Sequence, residues 1–276
     1  MNIPFTKMHG LGNDFMVVDN RQQIMPLDAG TLGELANRKT GIGFDQLLLV
    51  ENADSDSAAF KYRIYNADGG EVNQCGNGAR CFASFVTENE LIDSNEFWVE
   101  TNAGCIFLTV LENSQVRVNM GIPTFSPATI PLARAERQAR YSLDFQSQTV
   151  SFMAAEIGNP HAVFELGPVS SAPVEALGKF VQTLPLFPER VNAGFMQLLS
   201  TTEIDLRVFE RGVGETLACG SGACAAVATA ILENRLGSSV KVNLLGGSLT
   251  IDYAGEGEPI FLTGPTATVF SGELSS

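Results

Sequence analysis

The sequence predicts an α+β fold of two pseudo-symmetric lobes, each an antiparallel-rich sheet wrapped around a buried central helix. The main observation behind this prediction is an internal duplication. The stretch Tyr62–Ala79 aligns with Leu206–Ala223 without a gap at an offset of 144 residues, and seven of the 18 aligned pairs are identical. Self-similarity of this kind at a fixed offset indicates a repeated structural unit rather than chance.

Each copy has the same local pattern. A short strand, Tyr62–Tyr65 or Leu206–Phe209, runs into a glycine-rich turn and then into the motif Cys-Gly-x-Gly-Ala. The apolar segments that follow, Ala79–Val86 and Ala223–Leu232, are rich in alanine, which favours helix. Because their apolar residues lie on every face, we expect both helices to be buried.

A cysteine therefore precedes a buried helix twice, at Cys75 and Cys219. The unbonded N–H groups and the dipole at a helix N-terminus bind anions and lower the pKa of a thiol. We expect Asn77 or Ser221 to cap the helix. A purely structural role would not require thiols at the same place in both copies, so we interpret this pair as chemical.

The remaining elements follow from apolar alternation and from glycine and proline turns. Helices are predicted at Thr31–Lys39 and Val174–Gln182. Further strands are predicted at Ile3–Met8, Phe15–Asp19, Leu47–Val50, Phe97–Thr101, Cys105–Leu111, Gln115–Asn119, Thr149–Ala155, Gly194–Leu199, Val240–Asn243, Ser248–Tyr253, Ile260–Thr263 and Ala267–Phe270.

A change of domain is predicted where Pro123, Pro127 and Pro131 interrupt the pattern. We expect an N-terminal lobe of residues 1–118, completed by residues 264–276, and a C-terminal lobe of residues 119–263. If the two lobes face each other, the two helix N-termini and their thiols would meet across one cleft, where an active site is expected.

Composition limits the classes of function. The net charge is −14 and the chain has no Lys/Arg cluster, which argues against nucleic acid and anionic membranes as partners. The N-terminal stretch lacks a signal-peptide apolar core, and no apolar run is long enough to span a bilayer. Five cysteines without a dense framework suit a reducing cytoplasm, so we predict a cytoplasmic protein.

Metal and cofactor motifs are not evident. The chain has only two histidines, His9 and His161, and no Cys-x-x-Cys pair. It has neither a phosphate-binding Gly-x-x-x-x-Gly-Lys loop nor a dinucleotide fingerprint. We therefore predict no cofactor and no metal.

Two thiols without a cofactor suit the inversion of a carbon centre. One group removes a proton from one face of the carbon, and the other supplies a proton to the opposite face. Backbone N–H groups aimed at the substrate carboxylate would stabilise the carbanion. The residues after each cysteine stand where such N–H groups are needed, and they are Gly76, Asn77, Gly220 and Ser221.

At this point the chain resembles the diaminopimelate epimerases, cofactor-independent enzymes that interconvert LL- and meso-diaminopimelate for lysine and peptidoglycan synthesis. The resemblance runs through essentially the whole chain. The segments that carry it are Lys7–Phe15, Gly43–Gln46, Tyr65–Gly69, Gln74–Cys81, Gly158–His161, Arg190–Asn192, Glu210–Arg211 and Ala218–Cys224. Either cysteine motif alone would also admit the related proline or hydroxyproline racemases, which are the alternative.

The resemblance implies roles for individual residues. Cys75 and Cys219 would be the two acid/base groups, with His161 and Glu210 in supporting catalytic roles. The family also implies a homodimer, and Phe270 takes the place of a tyrosine that supports the dimer in some members. The implied substrate-binding residues are Asn13, Gln46, Asn66, Gly76, Asn77, Asn159, Asn192, Glu210, Arg211, Gly220 and Ser221.

The polar residues also have simpler interpretations. Asn beside a turn often serves only the backbone, and His161 could be a core histidine. Glu210–Arg211 replaces Asn66–Ala67 of the first copy. This asymmetry suggests that Glu210 and Arg211 hold the ammonium and carboxylate at the far end of the substrate.

Two other classes of protein remain open at this stage. A dithiol redox protein would need a reversible disulfide between the two cysteines. A non-catalytic amino-acid-binding module would keep its ligand with alanine at both positions. Incorporation of solvent deuterium at the substrate α-carbon separates an epimerase from both.

Overall fold

The structure is a computed structural model that describes residues 2–73 and 75–274. Its contacts divide the chain into two compact units. The first unit comprises Met1–Asn119 and Thr263–Ser276, and the second comprises Met120–Leu262. One copy of the duplicated stretch lies in each unit.

The first unit contains most of the early elements. Its strands are β1 (Ile3–Gly10), β2 (Asn13–Asp19), β3 (Gln46–Glu51), β4 (Phe60–Asn66), β5 (Glu71–Val72), β6 (Glu96–Thr101), β7 (Gly104–Val110) and β8 (Gln115–Asn119). Its helices are α1 (Ala29–Ala36) and α2 (Gly76–Glu88).

The second unit follows the same order. Its strands are β9 (Tyr141–Phe145), β10 (Gln148–Glu156), β11 (Pro160–Glu165), β12 (Asn192–Ser200), β13 (Glu203–Glu210), β14 (Gly214–Thr216), β15 (Ser239–Leu244) and β16 (Gly247–Tyr253). Its helices are α3 (Val174–Val181), α4 (Gly220–Leu232) and a short 3-10 turn at Val169–Ser171. Strand β17 (Ile260–Pro265) begins in this unit, and β18 (Ala267–Leu274) pairs antiparallel with β1 in the first.

Equivalent strands pair with the same register in both units. In the first unit β2 runs parallel to β3 and places Phe15 opposite Gln46. In the second unit β11 runs parallel to β12 and places His161 opposite Asn192. Both residues of the second pair lie 146 positions after those of the first, so the duplication extends to hydrogen-bond register.

The two cysteine helices form the inner layer of their units. Helix α2 packs against β1, β2, β3, β4, β7 and β8, whereas α4 packs against β10, β11, β12, β13 and β16. Gly78 of α2 lies so close to the sheet that a Cβ atom there would overlap the Tyr62 hydroxyl. A glycine is therefore required for this close approach of helix and sheet.

A second apolar layer covers the other face of each sheet. In the first unit Leu32 of α1 packs with Met16 and Leu47, and in the second unit Leu177 of α3 packs with Phe164 and Phe195. Because both faces are covered, some strands are apolar at every position rather than at alternate ones. This explains the continuous apolar run Leu47–Val50.

Several boundaries differ from the sequence prediction. Helix α1 begins at Ala29 because the Asp28 carboxylate accepts a hydrogen bond from the Thr31 N–H, and it ends at Ala36 because Asn37 is extended. Strand β9 was not predicted, because the prolines before it favoured a linker. The last strand continues to Leu274 because its whole length pairs with β1.

Candidate active site

Each cysteine occupies the N-cap position of its own helix. Cys75 has an extended backbone (φ −146°, ψ 113°), and its Sγ accepts a hydrogen bond from the Gly78 N–H at 3.4 Å. Cys219 takes the same N-cap position (φ −126°, ψ 109°). The prediction of Asn77 or Ser221 as caps is wrong, because both residues already lie in the first helical turn. The backbone N–H groups of the first helical turn therefore follow directly after each cysteine.

Asn13 connects strand β2 to the first cysteine. Its Oδ1 accepts a hydrogen bond from Asn77 Nδ2 at 3.3 Å and lies 3.8 Å from Cys75 Sγ. Its Nδ2 donates to Asp45 Oδ2 at 3.0 Å. The amide is thereby oriented with its oxygen toward the thiol.

A network of charged side chains holds Asp45, the hydrogen-bond partner of Asn13. Asp14 accepts from Lys7 at 2.6 Å and from Arg38 at 2.7 Å, and Arg38 also bonds to Asp45 at 2.6 Å. Burial alone would raise the pKa of Asp14, but hydrogen bonds from Arg38 and Lys7 hold that pKa well below its usual range. Sequence reasoning missed these supports, although Lys7, Asp14 and Asp45 stand in the two motifs that contain Asn13 and Gln46.

Gln46 and Asn66 form a second amide pair in the first unit. They lie opposite each other on β3 and β4, and Gln46 Nε2 donates to Asn66 Oδ1 at 2.9 Å. Both side chains are half-buried. This bond leaves the Asn66 Nδ2 group and the Gln46 oxygen to interact with a ligand.

The second cysteine has a carboxylate beside it instead of an amide. The Glu210 carboxylate interacts with the Cys219 thiol, and it accepts a hydrogen bond from the Thr216 hydroxyl at 2.6 Å. The Ser221 hydroxyl lies 3.6 Å from Cys219 Sγ. Sequence reasoning missed Thr216, although it differs from its counterpart Val72.

The environment of Cys219 reverses one prediction. Burial raises the pKa of Cys219 well above its usual value, and the negative charge of Glu210 raises it further. The Ser221 hydroxyl lowers it by less. The expected lowering of the pKa by the helix N-terminus is therefore wrong for Cys219, because desolvation outweighs it. This thiol is suited to hold its proton.

Burial also raises the pKa of Glu210, and the hydrogen bonds from Thr216 and Cys219 oppose that rise. Glu210 is thus engaged by groups at the thiol, whereas the sequence suggested that it holds the far end of a substrate.

His161 is a neutral histidine. It is 1% exposed, and burial, followed by the charge of Arg211, lowers the pKa of His161 to about 3. Its Nε2 lies 2.6 Å from Asn159 Oδ1. Because an amide oxygen only accepts, Nε2 carries the proton and Nδ1 is an acceptor. Nδ1 is buried and has no hydrogen-bond partner among residues 2–73 and 75–274.

Asn192 begins β12, and Arg211 follows Glu210 at the end of β13, so both lie at the same end of the sheet as Glu210. Asn192 is buried, and its Oδ1 accepts from the Arg211 backbone N–H at 2.8 Å. The exposed Arg211 guanidinium donates to Glu189 O at 3.0 Å, which occupies one of its five N–H donors. Gln182 at the end of α3 donates to Glu210 O at 3.2 Å and braces this turn.

Within the described part of the chain, no three His, Cys, Asp or Glu side chains are grouped as metal ligands. None of the helices described is long and apolar enough to span a lipid bilayer. Gln74, which begins the first cysteine motif, lies outside the described residues.

Comparison with known proteins identifies the family. The family model described as diaminopimelate epimerase matches residues 5–126 and 153–269. The chain belongs to the diaminopimelate epimerase family. It is 52% identical over 274 residues to the diaminopimelate epimerase of Nitrosomonas europaea, with 99% of both chains covered. It is 51% identical to that of Acinetobacter baumannii strain AYE, covering 99% of this chain and 98% of the relative.

Family membership confirms the predicted enzyme class, an isomerase of the amino-acid epimerase type. Solved structures confirm the predicted α+β fold class. A hydroxyproline epimerase from Agrobacterium vitis superposes with a TM-score of 0.71 at 16% identity, covering 99% of this chain and 92% of that one. A PhzF-family phenazine biosynthesis protein from Bacillus anthracis has a TM-score of 0.68 at 14% identity, with both chains fully covered. At these identities the likeness is one of fold alone.

Proposed function

We propose that the protein interconverts LL- and meso-diaminopimelate by moving a proton at the α-carbon between two thiols. The observation that carries this proposal is the equivalent placement of Cys75 and Cys219 at the N-caps of α2 and α4. Names of relatives that share about half of the sequence supply the substrate. The reaction would serve the synthesis of lysine and peptidoglycan precursors.

The cycle begins with one thiol and one thiolate. Cys219 holds its proton because burial and the charge of Glu210 raise its pKa. In the proposed cycle Cys75 therefore supplies the base. Cys75 removes the α-proton, and Cys219 delivers its proton to the opposite face of the carbon. The sulfur atoms thereby exchange roles, and exchange of protons with solvent after product release restores the starting state. This mechanism requires the two thiols on opposite sides of one carbon.

Backbone N–H groups of the two first helical turns stabilise the carbanion through the substrate carboxylate. Hydrogen-bond donors aimed at developing charge are among the largest contributions to catalysis. The groups proposed for this role belong to Gly76, Asn77, Gly220 and Ser221.

The other site residues hold the substrate. The buried His161 fixes the Asn159 oxygen, so that the Asn159 amide nitrogen is directed to the ligand. Arg211 binds the far carboxylate, for which its planar guanidinium can offer two parallel N–H bonds. The amides that complete the proposed site are those of Asn13, Gln46, Asn66 and Asn192.

We also propose that the enzyme works in the cytoplasm as a homodimer without a cofactor. Phe270 is 45% exposed on β18, and its ring packs edge-on against Phe5 at 5.8 Å. An apolar ring at this position can support an interface without the hydroxyl of a tyrosine. Light scattering that gives the mass of one chain at micromolar concentration would contradict the dimer.

The test of the activity is a chiral assay of the purified protein with LL-diaminopimelate as substrate. Proline, glutamate and lysine serve as control substrates. Conversion of diaminopimelate alone is the expected result. Racemisation of proline at a similar or greater rate would favour the proline racemase alternative instead.

A further inference from the structure

A threonine holds the carboxylate that lies beside the second cysteine. Thr216 is the last residue of β14, and its hydroxyl donates to Glu210 Oε1 at 2.6 Å. The short β13–β14 ladder fixes both partners, since Glu210 is paired with Gly214 and Thr216 with Val208. Both partners of this hydrogen bond are therefore held in place by strand pairing.

The same carboxylate faces the thiol of Cys219. The interaction changes the pKa of both groups, since the Glu210 charge raises that of Cys219 and the thiol lowers that of Glu210. A carboxylate with a hydroxyl on one oxygen has a restricted orientation. Thr216 thus limits the positions that the negative charge can take relative to Cys219 Sγ.

The first copy of the duplication lacks both partners. At the offset of 144 residues, Thr216 corresponds to Val72 and Glu210 corresponds to Asn66. The backbone pairing is the same, with Val72 opposite Ile64 as Thr216 is opposite Val208. The hydroxyl is therefore present only in the copy that has an acid to hold, on a ladder of the same register.

We propose that Thr216 is a positioning residue that orients the Glu210 carboxylate against the Cys219 thiol, so that Cys219 carries its proton when the cycle begins. This inference rests on the proposed epimerase function and adds a specific cause for the difference between the two thiols. Thr216 acts only through Glu210.

The physical consequence has a definite sign. A hydrogen bond to a carboxylate favours its ionised form. Removing the Thr216 hydroxyl therefore raises the pKa of Glu210 and also lets the carboxylate move. Either change weakens the negative charge felt by Cys219, so the pKa of the thiol falls. Hydrogen bonds to charged groups are strong enough to move a titration by about one pH unit.

The experiment follows Cys219 directly. The intact protein is alkylated with iodoacetamide across a range of pH, and the modified Cys219 peptide is quantified by mass spectrometry. Thr216→Val keeps the side-chain shape and reproduces the valine of the first copy, Thr216→Ser keeps a hydroxyl, and Thr250→Val is a control at an exposed strand position. We expect the alkylation profile of Cys219 to move to lower pH by about one pH unit in Thr216→Val only.

A Glu210→Gln background shows whether Thr216 acts through the carboxylate. Glu210→Gln alone should move the Cys219 profile in the same direction, and adding Thr216→Val should then change nothing further. Overlapping wild-type and Thr216→Val profiles would overturn the proposal. So would a Thr216→Val shift that persists in the Glu210→Gln background.

The pH dependence of kcat/KM gives a second readout. Because Glu210 must be ionised for the reaction, the acid limb of the kcat/KM profile should move to higher pH in Thr216→Val. In Thr216→Ser it should return to the wild-type position. A merely structural role would lower kcat/KM at every pH without moving the limb. Alkylation does not depend on turnover, so it tests the positioning of Glu210 independently of the proposed function. A wild-type protein that fails to epimerise diaminopimelate would refute the proposed function alone.

Discussion

The His161 imidazole donates a hydrogen bond from Nε2 to Asn159 Oδ1 at 2.6 Å. This bond sets the tautomer of the ring and the orientation of the amide together. His161 lies at the start of β11, where register with β12 places it opposite Asn192, and Asn159 immediately precedes that strand. The histidine is therefore a neutral group.

The first prediction concerns the charge of His161. With its pKa lowered to about 3, the ring stays neutral between pH 5 and 8. We expect the His161 ring nitrogens in two-dimensional NMR to show one protonated and one bare nitrogen throughout this range. A titration of the ring near pH 6.5, the usual value for histidine, would contradict this assignment.

The second prediction concerns the two thiols. Cys75→Ala and Cys219→Ala should each lower kcat by about 10²–10⁴-fold, since each removes a general acid or base. Circular dichroism should show an unchanged fold. Cys105→Ala is the matched control, because Cys105 is exposed on β7 and should leave turnover unchanged. Turnover near wild type in Cys75→Ala would exclude the two-thiol mechanism.

The third prediction concerns the far end of the substrate. Arg211→Leu should lower kcat/KM for diaminopimelate by roughly 30- to several-thousand-fold, as expected when a charged pair that forms with the bound substrate loses one partner. Arg63→Leu is the control, since Arg63 pairs with Glu71 at 2.8 Å away from the proposed ligand. Lysine, which lacks the far carboxylate, should not turn over detectably.

Equal losses in the Arg211 and Arg63 variants would refute the role of Arg211 in far-end binding. Turnover of lysine comparable to that of diaminopimelate would have the same meaning. Both results would favour a simpler racemase that recognises only the reacting end.

The fourth prediction concerns the packing of α2. Gly78→Ala adds a methyl group against the Tyr62 hydroxyl, so it should reduce the free energy of unfolding by about 1–3 kcal/mol. Without that contact, alanine would stabilise a helix interior relative to glycine. The measurement is urea denaturation in the wild type and in a Tyr62→Phe background. The same loss in both backgrounds would show that the hydroxyl is not the obstacle.

Much of the architecture was predictable because the duplication is visible in the residues. The pairs Phe15–Gln46 and His161–Asn192 keep one offset in sequence and one register in the sheet. The burial of both cysteine helices also follows from their apolar composition. Local pattern and internal repetition can both be read from a single sequence.

The chemistry of Cys219 was not predictable in the same way. The pKa of Cys219 depends on burial and on the nearby charge of Glu210. Neither can be read from the cysteine motif itself. The same holds for Thr216 and for the network of Asp14 and Arg38, which act through side-chain contacts made by folding. Local motifs identify the reacting groups, whereas tertiary contacts set their protonation.

The most direct test of the two-thiol mechanism is epimerisation of LL-diaminopimelate in D₂O, analysed at low conversion by mass spectrometry. One thiol removes protium and the other delivers deuterium, so the product should carry one deuterium at the inverted α-carbon while the remaining substrate carries almost none. A product that retains protium at that carbon would mean that a single group moves the same proton, and it would contradict the assignment of Cys75 and Cys219 as opposing base and acid.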